Sequence, residues 1–305
     1  MNIFLICLGG SGSKIAEAVV HMAALDLWGQ ADIHLLMADV DGGNGNHEQA
    51  RDVAALYDKV HAMNVDPRLF RAGVTLYDWT PGIPQQSLLA LQQGSGKKSD
   101  LLAKFLYSGQ ERAMDVRDGF KGHPNIGVLF MQQIMRRRGA EPDDELARFM
   151  DAVRRLRPDR IFVAGSCYGG TGASCIPILG KYLRRALGDD IALGLLAVLP
   201  SFSLQKDTDD PIDPDSNEFP NRVKTVLSTY IGQDILTYRP QAQGAQALRN
   251  LYEKIYLLGS PEPILFKIYA AGNSRQRNPA TFFDWFACGA VTDYVQQPEP
   301  KAQGV

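Results

Sequence analysis

The sequence lacks the features of secreted, membrane-spanning and disulfide-stabilised proteins. Its longest apolar stretches fall well short of the roughly 20 residues of a membrane span. No basic region precedes the N-terminal apolar run, which Gly9 and Gly10 interrupt early. No CxxC pair occurs, so we expect reduced, mostly buried thiols in a cytoplasmic protein, with Cys167 as the one candidate for oxidation. The four cysteines are Cys7, Cys167, Cys175 and Cys288.

The sequence also has little charge excess and no metal-binding motif. The formal net charge is −2 over 305 residues, so no global field attracts nucleic acid or a membrane surface. The five histidines show no HExxH or comparable ligand spacing, and we expect no structural metal. A hydrophobic content of 45% is ordinary for a globular protein. The length allows one large domain or two ordinary ones.

Continuous apolar runs alternate with amphipathic segments along the chain. This alternation predicts an α/β fold with a mainly parallel sheet and helices on both faces. Residues 64–100 contain several prolines and a Gly-Ser-Gly-Lys-Lys tract, which predict an irregular insertion with short helices. Strands are predicted at 2–8, 33–38, 161–164, 191–199 and 254–258. Helices are predicted at 14–27, 48–63, 101–117, 126–138, 142–157, 176–187, 221–236 and 281–295.

Two glycine-rich turns, at 9–13 and 165–172, each follow a predicted strand and precede a helix. Such turns present backbone N–H groups and a positive helix end to a phosphate, and glycine lets the phosphate approach the backbone. Parallel strands bring both turns to one sheet edge, where ligands of open α/β sheets bind. Lys14 and Lys121 can add positive charge there. Asp39 and Asp41, after the second strand, are either an Asx turn or water-mediated ligands of Mg²⁺.

Residues 168–174, YGGTGAS, closely resemble the GGGTG(S/T)G phosphate loop of the tubulin/FtsZ superfamily. Residues 9–15 resemble the G-Q-x-G-N-Q-I turn of tubulins, with Lys14 in place of an amide. Residues 119–127 resemble the G-x-G-A-x-x-P-x-x-G stretch of FtsZ, which faces the terminal phosphate. Asp39 and Asp41 match a polar magnesium-proximal loop, and residues 193–200 match the ribose-facing strand. The similarity is greatest to divergent bacterial, hence prokaryotic, tubulin-like proteins.

The resemblance implies that GTP or GDP binds with Mg²⁺, and that Asp39 and Asp41 hold the metal through water. Guanine selection in the family uses two asparagines, which match Asn278 and either Asn221 or Asn217, although asparagine at a helix start also serves as a cap. Phe283 either stacks on the base or packs in the core. The nucleotide-binding positions implied are Gly9, Gly10, Ser11, Gly12, Ser13, Lys14, Asp39, Asp41, Gly122, His123, Asn125, Gly169, Gly170, Thr171, Gly172, Ala173, Ser174, Asn221 and Asn278.

The implied function is that of a tubulin-like GTP-binding protein, an assembly or switch module that self-associates or has a protein partner. Residues 1–295 form the nucleotide-binding domain and 296–305 a flexible tail. The family completes its hydrolytic site with an acidic loop after a central helix. If residues 279–295 are that helix, no such loop follows, which implies slow or partner-dependent GTP hydrolysis. If 221–236 are that helix, the remainder forms a small second domain.

Two other functions remain open from the residues. A Rossmann-type dinucleotide oxidoreductase would use Gly10 and Gly12 at the pyrophosphate and Asp39 at a ribose, although the second glycine turn then has no use. A nucleotide-free tubulin-like scaffold would explain why Tyr168 and Ser174 stand where the family has glycine. Identification of the bound nucleotide separates these three functions.

Overall fold

The central sheet consists of six parallel strands in the order β3-β2-β1-β4-β5-β7. A computed structural model describes residues 1–66, 68–83, 85–92, 97–137, 144–188, 190–206, 215–232, 251–269 and 277–297. Strands β6 and β8 pair in parallel as a separate two-stranded sheet. The strands are β1 (Asn2–Leu8), β2 (Asp32–Ala38), β3 (Gly73–Trp79), β4 (Arg160–Ser166), β5 (Ala192–Val198), β6 (Phe202–Lys206), β7 (Lys254–Leu258) and β8 (Ile264–Tyr269).

The helices cover the sheet. Helix α1 contacts α2 and α10, α6 contacts α8, and α7 packs on β2 and β3. A one-turn 3₁₀ helix, Ser216–Glu218, precedes α9. The α-helices are α1 (Gly9–Ala24), α2 (Gly45–Met63), α3 (Leu88–Gln92), α4 (Lys97–Leu106), α5 (Gly109–Ala113), α6 (Pro124–Arg137), α7 (Glu145–Leu156), α8 (Thr171–Leu187), α9 (Phe219–Gly232) and α10 (Phe282–Gln296).

The four central strands are buried on both faces. In β1, β2, β4 and β5 every residue after the first is buried. Because successive side chains of a strand point to opposite faces, this burial requires helices on both sides. The edge strands β3 and β7 are only partly buried. The predicted α/β class, with a mainly parallel sheet and helices on both faces, is therefore confirmed.

Several predictions of element boundaries were wrong. Helices α1 and α8 begin at Gly9 and Thr171, within the glycine-rich segments, and not at residues 14 and 176. Residues 73–79, predicted to lie in an irregular insertion, form edge strand β3. The helix predicted at 101–117 is broken into α4 and α5, because Ser108 and Glu111 form a capping box that starts a new helix. Strands β6 and β8 were not predicted. The predictions for Pro67, Pro84, the tract at 93–96 and residues 298–305 of the tail lie outside the described residues.

Among the described helices, none combines the length and the hydropathy that crossing a membrane requires.

Candidate functional site

A cavity opens at the carboxyl edge of the central sheet, where the loops after β1, β2, β4 and β5 meet. This is the edge at which open α/β sheets bind ligands. The start of α10 and the loop before α6 complete its wall. The residues of the cavity are Gly9, Gly10, Ser11, Lys14, Ile15, Asp39, Asp41, Asn44, Asn46, Asp118, Gly119, Phe120, Lys121, Gly122, Ser166, Tyr168, Gly169, Gly170, Thr171, Gly172, Val198, Ser201, Phe202, Phe219, Leu258, Asn278, Thr281, Phe283, Asp284 and Ala287.

The two glycine turns touch each other at the floor of this cavity. Gly9 has a φ of +71°, a conformation that disfavours a side chain. A Cβ atom on Gly9 would lie 3.2 Å from the backbone nitrogen of Gly172. Gly12 packs against β1 so closely that a Cβ would lie 2.6 Å from the carbonyl carbon of Cys7. Glycine is therefore required at these positions by close backbone packing as well as by any ligand.

Helix N-termini converge on the cavity. Helix α1 begins at Gly9 and α8 begins at Thr171, directly after β1 and shortly after β4. Neither helix has a side-chain cap at its start. The first N–H groups of a helix lack intrahelical partners and carry a partial positive charge, so the floor of the cavity suits an anion.

A third loop, residues 118–122, rests on the second glycine turn. A Cβ atom on Gly170 would lie 2.6 Å from Cβ of Phe120. The absence of a side chain on Gly170 therefore leaves the space that this loop occupies. The loop is held from above by Arg222 of α9, whose Nη1 donates a 2.8 Å hydrogen bond to the carbonyl of Gly122. Lys121 adopts a φ of +43° within the loop. The contact between Gly170 and Phe120 places residues 119–122 beside the starts of α1 and α8.

Asp39 links the loop after β2 to the second glycine turn. Thr171 Oγ1 donates a 2.9 Å hydrogen bond to Asp39 Oδ1, and the backbone N–H of Asp41 approaches the same oxygen at 3.3 Å. Burial raises the pKa of the Asp39 carboxyl, although His47 and the bond from Thr171 act in the opposite sense. Asp39 therefore positions Thr171, and it is already hydrogen-bonded on the side that faces the glycine turn.

Lys14 joins α1 to the segment before α10. Its ammonium donates a 2.9 Å hydrogen bond to the carbonyl of Asn278 and lies 3.9 Å from Asp284. The backbone N–H of Asn278 donates to Oδ1 of Asn46 at 2.8 Å. Asn278 is thereby fixed at the cavity wall from both sides, whereas the charge of Lys14 is directed toward α10.

A buried chain of hydrogen-bonded side chains, here called the relay, connects Asp78, His47 and Ser13 to the first glycine turn. His47 is fully buried, and its Nε2 lies 2.7 Å from Oδ1 of Asp78 on β3. Its Nδ1 lies 3.1 Å from Oγ of Ser13, which also donates to the carbonyl of Gly9. Burial would lower the pKa of His47, but the bond to Asp78 and the Asp39 carboxylate outweigh it and raise that pKa. The relay connects edge strand β3 to the floor of the cavity.

Tyr168 does not block the cavity but forms part of its wall. Its ring packs against Phe219 and Phe202, with centroids 4.9 and 5.3 Å away. Its hydroxyl lies 3.4 Å from Oγ of Ser11, so the two glycine turns also meet through side chains. Burial raises the pKa of Tyr168, which keeps the hydroxyl protonated and able to donate a hydrogen bond.

Of the residues predicted for the site, twelve line the cavity: Gly9, Gly10, Ser11, Lys14, Asp39, Asp41, Gly122, Gly169, Gly170, Thr171, Gly172 and Asn278. Seven do not: Gly12, Ser13, His123, Asn125, Ala173, Ser174 and Asn221.

The seven residues outside the lining pack against other parts of the fold, form hydrogen bonds away from the cavity or are exposed to solvent. Gly12 and Ser13 face β1 and His47, as described above. Ser174 hydrogen-bonds back to the carbonyl of Gly170, and the carbonyl of Ala173 accepts a bond from Tyr230. His123 bonds to the carbonyl of Lys121. Asn125 and Asn221 are exposed on α6 and α9.

The structure adds cavity residues that the sequence did not reveal. Asn44 caps α2 through a 3.0 Å bond from the N–H of Asn46, and both side chains face the cavity. Asp118 is an exposed carboxylate on the wall. The loop-start asparagines are recognisable as cap residues, but their position at the cavity depends on how α2 packs on α1.

Cys167 is not suited to oxidation. It is buried, and burial raises the pKa of its thiol to about 12, so almost no reactive thiolate forms near neutral pH. All four cysteines are buried free thiols. Within the described part of the chain, no group of three or more His, Cys, Asp or Glu side chains is arranged to hold a metal ion.

Comparison with known proteins gave no match to a family model and none to a curated protein. Among solved structures, the GDP-bound CetZ1 monomer from Haloferax volcanii shares 13% identity over 80% of this chain and 55% of its own, with a TM-score of 0.37. CetZ2 from the same organism, a GTPγS-bound protofilament, shares 14% identity over 81% of this chain and 52% of its own, with a TM-score of 0.36. The chain spans about half the length of these proteins.

A β-ketoacyl-[ACP] reductase from Bacteroides thetaiotaomicron shares 14% identity over 86% of this chain and 98% of its own, with a TM-score of 0.28. Likenesses at this level carry no argument about this chain. The strand order itself makes the architecture Rossmann-like.

Proposed function

We propose that the cavity binds GTP or GDP together with Mg²⁺, and that the protein is a tubulin-like assembly or switch module. The observation that carries the proposal is the contact between the two glycine turns at the starts of α1 and α8. Two helix ends side by side, each with unpaired N–H groups, suit a chain of two or three phosphates better than a single anion. The resemblance of the turns to the tubulin/FtsZ phosphate loops agrees with this chemistry.

The phosphate chain would lie along Gly9–Ser11 and Gly169–Gly172. The Ser11 and Tyr168 hydroxyls are 3.4 Å apart, close enough for both to donate to one phosphate oxygen about 2.7 Å from each. Thr171 is held by Asp39 and would support both diphosphate and triphosphate. Residues 119–122 would contact the terminal phosphate.

Mg²⁺ would enter with the nucleotide rather than bind to the protein alone. The carboxylates on the wall are oxygen ligands of the kind that Mg²⁺ takes through water. Both predicted carboxylates line the cavity and both accept bonds within the protein, Asp41 from the N–H of Gly43 and Asp39 from Thr171 and the Asp41 backbone, so either would reach Mg²⁺ through water. Phosphate oxygens would supply the remaining ligands.

Guanine preference rests on amide side chains in the cavity lining. Asn278, Asn44 and Asn46 all line it, and amides can pair with both donor and acceptor groups of a base. Phe283 lines the same region and is 8% exposed, so it can contact a base while packing in the core. Asn221 is left out of this proposal because it lies on the exposed side of α9.

Hydrolysis is proposed to be slow or dependent on a partner. It requires a positioned water as well as charge stabilisation. Asp39 is buried and bonded to Thr171, and Asp284 is bonded to the N–H of Thr281. These two carboxylates are engaged by the protein, and the proposal requires that Asp118, which is exposed on the cavity wall, does not position a water by itself. We place the protein in the cytoplasm, where free thiols persist and nucleotides are abundant.

The test is calorimetric titration of the purified protein with GTP, GDP and ATP in the presence and absence of Mg²⁺. We expect binding of both guanine nucleotides and at least tenfold weaker binding of ATP. Equal affinity for ATP and GTP would remove the guanine assignment. Absence of binding by all three would favour the nucleotide-free scaffold.

The dinucleotide oxidoreductase remains a second candidate because the strand order matches that of dinucleotide-binding domains. The ribose of a bound dinucleotide would have to bond to the Asp39 carboxylate. That carboxylate is 4% exposed and already accepts a hydrogen bond from Thr171. Titration with NAD and NADP in the same experiment tests it, and tight binding of either would replace the GTP proposal.

A further inference from the structure

The outer face of α10 carries the most concentrated group of exposed aromatic side chains among the described residues. Phe282, Trp285 and Phe286 are 54%, 63% and 55% exposed. The rings also contact one another, with centroid distances of 5.9 Å for Phe282–Phe286 and 6.3 Å for Trp285–Phe286. The largest apolar patch on a monomeric protein typically covers about 300–600 Å² and is often a functional surface.

The opposite face of α10 is also apolar. Phe283, Ala287, Cys288, Val291 and Tyr294 are buried against the body of the fold. Apolar residues thus occupy the outer face as well, defined as Phe282, Trp285, Phe286 and Gly289, and the described residues leave that face largely exposed.

We propose that the outer face of α10 binds the same face of a second copy of this chain, with the two helices antiparallel. Phe282, Trp285, Phe286 and Gly289 lie at helix spacings of three and four and so share one stripe. In the antiparallel register that sets Trp285 against Phe286 of the second copy, Phe282 stands opposite Gly289 of the second copy. By two-fold symmetry each contact occurs twice.

Gly289 supplies the space that this register needs. A Cβ atom built on Gly289 meets nothing within 4 Å, so the helix surface is open there. A phenylalanine ring from the second copy can approach the backbone at that point, as large and small residues interdigitate in packed helices. The stripe is thus self-complementary, with a ring at one end and a gap at the other.

The charges of α10 agree with a second copy as the occupant. The outer face from Phe282 to Gly289 carries no charge. Asp284 is turned away and accepts bonds from the N–H and the hydroxyl of Thr281. Asp293, one turn beyond Gly289, is paired with Lys254 at 2.9 Å. Identical faces can therefore meet without like-charge repulsion.

The size of the patch predicts a weak, reversible dimer. A buried aromatic side chain covers roughly 150–250 Å², so three half-exposed rings offer on the order of 300–400 Å² of apolar surface per copy. Even with a polar rim, this lies at the small end of specific interfaces. We expect a dissociation constant in the range of roughly 10–100 μM.

The experiment is sedimentation equilibrium of the full chain from about 1 to 300 μM, a range chosen to bracket that constant. Four proteins are compared: wild type, Trp285→Ala, Gly289→Leu and Phe105→Ala. Phe105 is 85% exposed on α4 and serves as the matched aromatic control. We expect Trp285→Ala and Gly289→Leu each to weaken dimerisation at least tenfold, and Phe105→Ala to leave it unchanged.

Gly289→Leu separates docking from folding. The open space around Gly289 and the higher helix propensity of leucine predict an unchanged or raised melting temperature, while the added side chain fills the gap that the second copy uses. A wild-type protein that stays monomeric throughout the range overturns the proposal and assigns the face to a different chain. A dimer that survives both substitutions on α10 also overturns it. Neither result bears on nucleotide binding, which is measured separately.

Discussion

At the scale of single residues, Gly170 shows how a missing side chain can serve two parts of a site. We predict that Gly170→Val abolishes nucleotide binding and lowers the free energy of unfolding by about 1–3 kcal/mol, the usual cost of overpacking. The reason is the 2.6 Å approach of a Cβ to Phe120, which would displace the loop at 118–122. Calorimetry and urea unfolding measure the two effects.

Gly82→Val is the matched control for that substitution, because a Cβ on Gly82 meets nothing within 4 Å. It should leave both binding and stability within experimental error. If Gly170→Val binds nucleotide with wild-type affinity, the second glycine turn is not the phosphate site.

The His47–Asp78 pair predicts a pH dependence of stability. The raised pKa of His47 means that its contribution is complete below about pH 6.5, its ordinary value, and is lost as pH rises through the raised pKa. Asp78 has a lowered pKa, because its bonds to His47 and Arg51 outweigh burial. Its contribution is lost only as pH falls through that lowered value. The pair should therefore stabilise most between about pH 5 and 6.

Asp78→Asn tests this pH dependence. We expect it to lower the free energy of unfolding by about 1–3 kcal/mol at pH 6, the usual range for a hydrogen bond to a charged group, and by clearly less at pH 8.5. Urea unfolding at the two pH values gives both numbers. An equal loss at both would mean that His47 does not carry a charge in this pair.

At the scale of elements, the loop before α6 is the part of the site that can distinguish triphosphate from diphosphate. Lys121 lines the cavity, whereas Asn125 is exposed at the second position of α6. We predict that Lys121→Gln weakens GTP binding about three- to tenfold, as the loss of one charge near a phosphate does, and leaves GDP binding nearly unchanged. Asn125→Ala is the control and should alter neither. Equal weakening of GTP and GDP by Lys121→Gln would place this loop elsewhere along the phosphate chain.

Strands were predictable from the sequence where a continuous apolar run marked them. Strands β1, β4 and β5 are continuous apolar runs because both of their faces are buried. Strand β3 escaped prediction because its residues are only partly buried, and because Asp78 within it points to His47 rather than to a hydrophobic neighbour. Its polar residues and nearby prolines resemble those of a loop.

The same distinction holds for the candidate site. The glycine turns and Asp39 could be predicted because their position after a strand puts them at the sheet edge. Asn44, Asn46 and Phe219 reach the cavity only through the packing of α2 and α9, which no local pattern encodes. Asn221 was predicted from its place at a helix start, but α9 begins at Phe219 and turns Asn221 to solvent.

At the scale of the whole molecule, ligand binding and turnover should be separable. We predict that the purified chain binds GTP but releases phosphate slowly, at a rate per molecule that does not rise steeply with protein concentration. Asp39 and Asp284 are engaged by Thr171 and Thr281, and the prediction requires that the exposed Asp118 does not position the attacking water by itself. Phosphate release measured against protein concentration, with light scattering in parallel, tests this. Rapid turnover together with GTP-dependent scattering would show that copies of this chain complete one another's sites.

The strand order has a consequence for how the molecule is made. The central pair of the sheet joins β1 to β4, with Phe4 against Ile161, so the first strand emerges from the ribosome long before its inner neighbour exists. Until then one side of β1 has no hydrogen-bonding partner in the sheet, and the two glycine turns cannot meet. Such distant pairing makes folding slow and exposes strand edges meanwhile. Nascent chains that end before β4 should therefore need chaperone protection, and the cavity should appear late, as one of the last features to form.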